Sequence, residues 1–173
     1  MTRDQISSSE YNPYFGQYIN KIPLDVALLD ALSSQATDVT IYFNDLNQKQ
    51  LNTSLEQGKW TPKEVLQHLI DSERIFSYRA LRFARNDSTE LTGFNQDIFV
   101  KNARIVDQTI EYLLEDYKAA RQATITLYKG FDDKTLKSMG KASGNAISVR
   151  ALGFLIAGHE KHHLELLTEK FNN

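Results

Sequence analysis

Three of the chain's four histidines fall in one short stretch, Gly158-His159-Glu160-Lys161-His162-His163-Leu164. If the stretch is helical, His159 and His163 lie one above the other on a single face. The fourth histidine, His68, sits far upstream in Trp60-Thr61-Pro62-Lys63-Glu64-Val65-Leu66-Gln67-His68-Leu69. Two stacked imidazoles are half of a metal site, and His68 from a second helix would make a three-nitrogen set with coordination positions left open. That pattern belongs to catalytic sites more than to closed structural ones. Any one buried histidine is most simply a core imidazole satisfied by a hydrogen bond. Three facing inward with no charged partner cost a few kcal/mol each unless their nitrogens are satisfied, and one shared ion satisfies them together. His162 is rotated about 60° to the other side of His159, so it would reach such a site only from the side.

An all-histidine set discriminates weakly among divalent first-row metals: zinc is the first expectation, with nickel, manganese, iron and cobalt also suited. The ion would lower the pKa of a bound water or thiol and polarise a substrate oxygen. The chain has no cysteine, which excludes disulfides, thiolate metal sites and a protein thiol nucleophile. A rival reading uses the same residues, since His159-Glu160-Lys161-His162-His163 satisfies the HExxH string, in which the glutamate is a general base. Such zinc proteases hold their substrate beside a sheet, and the sequence offers no strand for one. Glu160 and Lys161 are therefore read as solvated charges on the helix face.

The elements that must position the histidines can be read from hydrophobic spacing. Apolar residues from Leu24 to about Leu46 recur at three- and four-residue steps and predict a first helix. The second has the clearest start signal, with Thr61 as N-cap, Pro62 at the first helical position and Glu64 closing a capping box. It runs to about Ala84, and Val65, His68, Leu69, Ser72, Ile75, Phe76 and Arg79 share its inward face. A long connection that includes Phe94-Asn95-Gln96-Asp97-Ile98-Phe99 follows. The third helix spans about Asp107 to Tyr128, with a stripe of Ile110, Leu113, Leu114, Tyr117, Ala120, Ala123, Thr124 and Leu127 and a stop at Gly130. One helical turn is expected within Asp132 to Lys137, and Gly140 to Asn145 reads as loop. Ser148 is a candidate N-cap for the last helix, whose inward face holds Leu152, Leu155, Ile156, His159, His163, Leu166 and Leu167.

These four amphipathic helices predict an all-α four-helix bundle with short helical turns in its loops, built as one domain over residues 1–173. Residues 1–23 read as an irregular lead-in, broken by Asn12-Pro13, whose aromatics pack across the bundle. The chain's net charge is -2 with a pI near 6.1, and its charges are interspersed. No basic face points to nucleic acid or a membrane surface. Nothing resembles a signal peptide or reaches the roughly 20 apolar residues of a membrane span, so a cytoplasmic enzyme or binding protein acting on a small molecule is expected. Around the histidines, Asp71 could hydrogen-bond a ligand's second nitrogen or pair with Arg74. Arg79 and Arg82 could bind a substrate carboxylate or serve as ion-pair partners. Trp60 reads as a packing residue before the cap.

The segments Trp60 to Glu73 and Gly158 to His163 resemble the two signature segments of the DinB-like superfamily, especially its YfiT-like metal-dependent members, and the likeness covers nearly the whole chain. The resemblance implies a four-helix bundle with a divalent metal on three histidines, at positions matching His68, His159 and His163. Asp71 and Arg79 fall where similar members carry those residue types. Asp97 keeps an acid that the family places in the loop, while Asn95 and Phe99 stand where a further acid and a tryptophan are expected. Relatives of this kind include thiol-dependent S-transferases that use bacillithiol and isomerases that use mycothiol, and the group is customarily labelled metal-dependent hydrolase. They are often dimers. The resemblance therefore implies a bacillithiol-type S-transferase acting on small electrophiles with an external low-molecular-weight thiol, since the chain has none of its own. The alternatives are a hydrolase activating water and a non-enzymatic stress-response bundle.

Overall fold

The computed structural model describes residues 1–54 and 56–171. Its helices are α1 (Pro13–Ile19), α2 (Leu28–Asp45), α3 (Gln48–Leu51), α4 (Pro62–Ala84), α5 (Gln96–Asn102), α6 (Ile110–Lys129), α7 (Asp133–Leu136) and α8 (Val149–Phe171). A hairpin of β1 (Met139–Ala142) and β2 (Asn145–Ser148) lies between α7 and α8. The four long helices form the expected bundle: α4 packs against α6 and α8, and α2 closes the ring against the same two.

Local chemistry sets the boundaries of the two helices that carry histidines. At the start of α4, Thr61 Oγ1 accepts from Glu64 N at 3.3 Å and Glu64 Oε2 accepts from Thr61 N at 2.7 Å, which closes the capping box ahead of Pro62. At the start of α8, Ser148 Oγ accepts from Ala151 N at 3.1 Å and donates to Glu10 Oε2 at 2.8 Å. Glu10 also binds Arg150, so the lead-in is clamped to the root of α8.

The structure corrects several expectations. Asn12-Pro13 is not a break: Asn12 Oδ1 accepts from Tyr14 N at 2.9 Å and Pro13 opens α1, the same cap-then-proline signal that starts α4. The first bundle helix begins at Leu28, because Leu24 and Asp25 form a turn and Ala27 is extended beside the N-terminus, bridged to Thr2. Asn95 caps α5 by accepting from Asp97 N and Ile98 N, both at 3.0 Å, so the Phe94 to Phe99 segment is largely helical. Gly140 to Asn145, expected to be loop, lie within the hairpin, whose tight turn places Ser143 and Gly144 at φ of +53° and +78°. Two positive φ values in a two-residue turn match the right-handed twist of the strands.

Two apolar clusters fill the bundle. One gathers Leu28, Leu32, Phe83, Tyr128, Leu152 and Phe154, and the other Val39, Phe43, Leu66, Leu113, Tyr117 and Leu167. A buried polar layer lies at their junction. Arg121, 1% exposed, meets Glu73 and Glu160 and also donates to Leu32 O at 2.9 Å. On α6 the buried line runs through Tyr117, Arg121, Thr124, Ile125 and Tyr128, while Ala123 is exposed. On α8, Leu166 is 40% exposed, outside the stripe expected for it.

Candidate metal centre

α4 and α8 are packed side by side, and this contact carries His68 to His159 and His163. His159 Nε2 lies 3.1 Å from His68 Nε2 and 3.2 Å from His163 Nε2. One ligand atom from each of the three lies within 4.8 Å of the others. Nitrogens bound to one first-row ion at about 2.0–2.1 Å, at octahedral or tetrahedral angles, stand about 2.8–3.4 Å apart. Both separations from His159 fall in that range, so the donor set is gathered closely enough to hold one ion.

The surroundings keep these imidazoles neutral. Burial pushes the His68 pKa down to about 4, against a small upward pull from Asp97. Burial, with the neighbouring imidazoles adding to it, pushes His163 down to about 3 and holds His159 well below the ordinary histidine range. A neutral imidazole is the form that binds a metal. Ser72, one turn along α4 from His68, brings its Oγ to 3.5 Å from His68 Nδ1. With Nε2 given to an ion, Nδ1 would carry the proton and donate a hydrogen bond to Ser72 Oγ, which would orient the ring.

Aromatic rings enclose the cluster. Trp60 lies 4.8 Å from His68 between ring centroids, Tyr18 5.4 Å from His159 and Phe76 5.9 Å from His159. Tyr18 reaches this position because Gly158 lets α1 approach the backbone of α8: a Cβ there would stand 2.1 Å from Tyr18 O. Two cavities flank the histidines. One of about 260 Å³ is lined by His68, His159, Tyr18, Phe76, Arg79 and Phe94 among others. The other, of about 510 Å³, is lined by Trp60, Asp97 and His163 among others. Gln96 of α5 borders both.

The remaining candidates are placed as follows. His162 stays outside the converging nitrogens, half-buried, with its ring 5.3 Å from Tyr18. Asp71 does not reach His68. It accepts from Gln67 Nε2 at 2.9 Å and lines a separate cleft with Arg74 and Asp116, so the hydroxyl of Ser72 takes the place expected for it. Arg79 is buried beside the smaller cavity, whereas Arg82 is held by Asp87 and the Tyr78 hydroxyl. Glu160 is not a solvated charge. It is 2% exposed, and its carboxylate accepts from Arg121 at 2.6 and 3.1 Å and from the Tyr117 hydroxyl at 2.8 Å. A carboxylate engaged in this way has no access to a reacting molecule, which removes the HExxH general base. The ionic layer had a faint sequence signal: Tyr117, Arg121, Thr124 and Tyr128 keep helical spacing, but an arginine in the row hides it.

Fold and site together define a helical bundle with a three-histidine group that could hold a metal between two of its long helices. The sequence profile of the DinB superfamily matches residues 31–167, and the chain belongs to that superfamily. A protein of Geobacillus kaustophilus named "Putative metal-dependent hydrolase" is 28% identical over 137 residues, covering 77% of this chain and 76% of its own. A Bacillus cereus protein of the same name is 34% identical over 61 residues, 33% of this chain and 35% of its own. The solved structure of YfiT from Bacillus subtilis, described as "a probable metal-dependent hydrolase with an unusual four-helix bundle topology", superposes with a TM-score of 0.77 at 17% identity. That superposition covers 98% of this chain and 90% of YfiT. Among the described residues, no helix is long and apolar enough to cross a membrane.

Proposed function

We propose that the protein is a metal-dependent enzyme in which His68, His159 and His163 hold one divalent ion, zinc or nickel first among the candidates. Its reaction is the transfer of an external low-molecular-weight thiol, of bacillithiol type, to a small electrophile. The observation that carries the metal reading is the convergence of three imidazole nitrogens within 4.8 Å of one another. When bound, the ion supplies Lewis acidity and makes a nucleophile available at neutral pH.

The chain's own residues divide the remaining work. Ser72 holds the His68 ring by its far nitrogen, and the Arg121 network anchors α8 one residue beyond His159. Asp97, an exposed carboxylate on the larger cavity, is positioned to receive the proton released by an entering nucleophile. Two cavities, one on each side of the histidines, suit a reaction between two molecules, and the absence of cysteine requires that a thiol come from outside. The hydrolase reading uses the same residues with water as the nucleophile, and the names of the similar proteins favour it.

A screen of small electrophiles with and without low-molecular-weight thiols, on metal-loaded protein, separates the two. Turnover that requires thiol is expected. Equal turnover without thiol would establish the hydrolase reading, and no turnover with any of them would return the bundle to a non-enzymatic role.

A further inference from the structure

We propose that the smaller cavity binds an elongated, largely apolar or aromatic molecule by its carboxylate, with Arg79 as the anchor and the rest of the molecule directed at His68 and His159. This rests on reading the histidine cluster as the reacting end of a substrate site, but its test does not depend on the metal.

Arg79 is 6% exposed, and no carboxylate pairs with it among the described residues. Its hydrogen bonds run from a single nitrogen, Nη2, to Thr92 O and Ser143 Oγ, both at 3.0 Å. These two neutral acceptors tie the connection after α4 to the hairpin turn. They leave Nε and Nη1 without a protein partner among the described residues. Three other arginines withdrawn from solvent are each paired with a carboxylate: Arg121 meets Glu73 and Glu160, Arg150 meets Glu10 and Arg82 meets Asp87. An arginine remains protonated in any such setting, and burial disfavours its charge. A buried cation with two unengaged nitrogens and no counter-charge is a site for an incoming anion, and because Nη2 is already engaged the carboxylate would be held by a charge-assisted bond from Nε or from Nη1.

The cavity supplies the rest of the specificity. None of its lining residues is acidic, and Phe15, Tyr18, Phe76 and Phe94 give it aromatic walls, with the guanidinium 5.8 Å from the centre of the Phe76 ring. His68, Ser72, Phe76 and Arg79 follow one another along one face of α4 and all border this space. The Phe76 ring stands between the anchor and the histidines, 5.8 Å from the guanidinium and 5.9 Å from the His159 ring, so a molecule held by Arg79 reaches the histidines only if it extends past this ring.

The test is calorimetric titration of tag-free protein, metal-free and zinc-loaded, with benzoate and 3-phenylpropionate and with their primary amides. Both acids are expected to bind at least about tenfold more tightly than the amides, in metal-free and zinc-loaded protein alike. Arg79→Gln should abolish that preference while circular dichroism shows the helical bundle intact. Arg79→Lys, which keeps the charge but not the fork, should retain part of it and serves if the glutamine variant does not fold. Equal binding of acids and amides by the wild-type protein, or an acid preference that survives in folded Arg79→Gln, would overturn the proposal. An acid preference confined to zinc-loaded protein would also overturn it, by assigning the carboxylate to the ion.

Discussion

His159 and Glu160 are neighbours in sequence on α8, yet they enter two buried polar clusters of opposite design. On the Glu160 side, Arg121, Glu73 and Tyr117 give each polar atom a complementary partner, with guanidinium nitrogens 2.6 to 3.1 Å from carboxylate oxygens and from Leu32 O. On the His159 side, three imidazole nitrogens of the same kind face one another, and their pKa values are pushed down by burial, with neighbouring imidazoles adding to it at His159 and His163. The ionic cluster is complete in the protein alone, whereas three imidazole nitrogens turned together are a donor set that a cation can fill. Both lie between α4 and α8, and the ionic cluster also draws Arg121 and Tyr117 from α6, so the difference lies in which side chains meet there.

The largest test of this contrast is Arg121→Met. Removing the cation leaves Glu73 and Glu160 buried and uncompensated, at an expected cost of about 3–5 kcal/mol in urea unfolding. Replacing all three members by apolar residues of similar volume should restore most of that loss. If Arg121→Met instead unfolds like the wild type, the layer is not a closed ionic unit.

pH separates the clusters next. His68 titrates near pH 6.5 when unfolded and at about 4 in the folded metal-free protein. Below pH 6.5 the unfolded state therefore binds more protons, and stability falls as pH falls towards 4. The expected loss at pH 4 is about 3 kcal/mol for this group. It should vanish in His68→Asn, measured as the difference between the two unfolding free energies across the range. A wild type whose metal-free stability rises relative to His68→Asn on acidification would contradict the buried neutral imidazole.

The smallest effect expected is that of Ser72→Ala. Loss of the hydroxyl 3.5 Å from His68 Nδ1 should weaken zinc binding by about tenfold, the lower end for groups that orient a ligand, and leave unfolding of the metal-free protein nearly unchanged. Undiminished affinity would show that Trp60 and the helix packing orient the ring without Ser72.

The same contrast explains what the sequence revealed. The histidines were legible because the residue is rare in this chain and the i, i+4 pair on α8 places two imidazoles together before any tertiary contact forms. Thr61-Pro62-Lys63-Glu64 fixed the start of α4 through local hydrogen bonds alone, and the four apolar periodicities defined the bundle. The ionic layer was hidden because arginine and glutamate on a helix ordinarily signal solvent, and only the junction of the two apolar clusters makes Arg121, Glu73 and Glu160 inward residues. Asn12-Pro13 carried the same local signal as Thr61-Pro62, but α1 is short and without a long apolar period, so its helical character depends on docking against α8 at Gly158. The hairpin was concealed in a similar way, since its strands are four residues each and Gly140 and Gly144 read as loop. Its placement rests on the bridges from Leu91 and Tyr11 to residues of the hairpin.

The most direct measurement of the central claim is elemental analysis of tag-free protein together with its melting temperature as zinc or nickel is added. The wild type should carry or take up one divalent ion per chain and melt at a higher temperature with metal, since an ion bound only by the folded state stabilises it. His159→Ala should lose both the ion and the shift. No metal in the purified wild type, and no rise in melting temperature on adding either ion, would contradict the account.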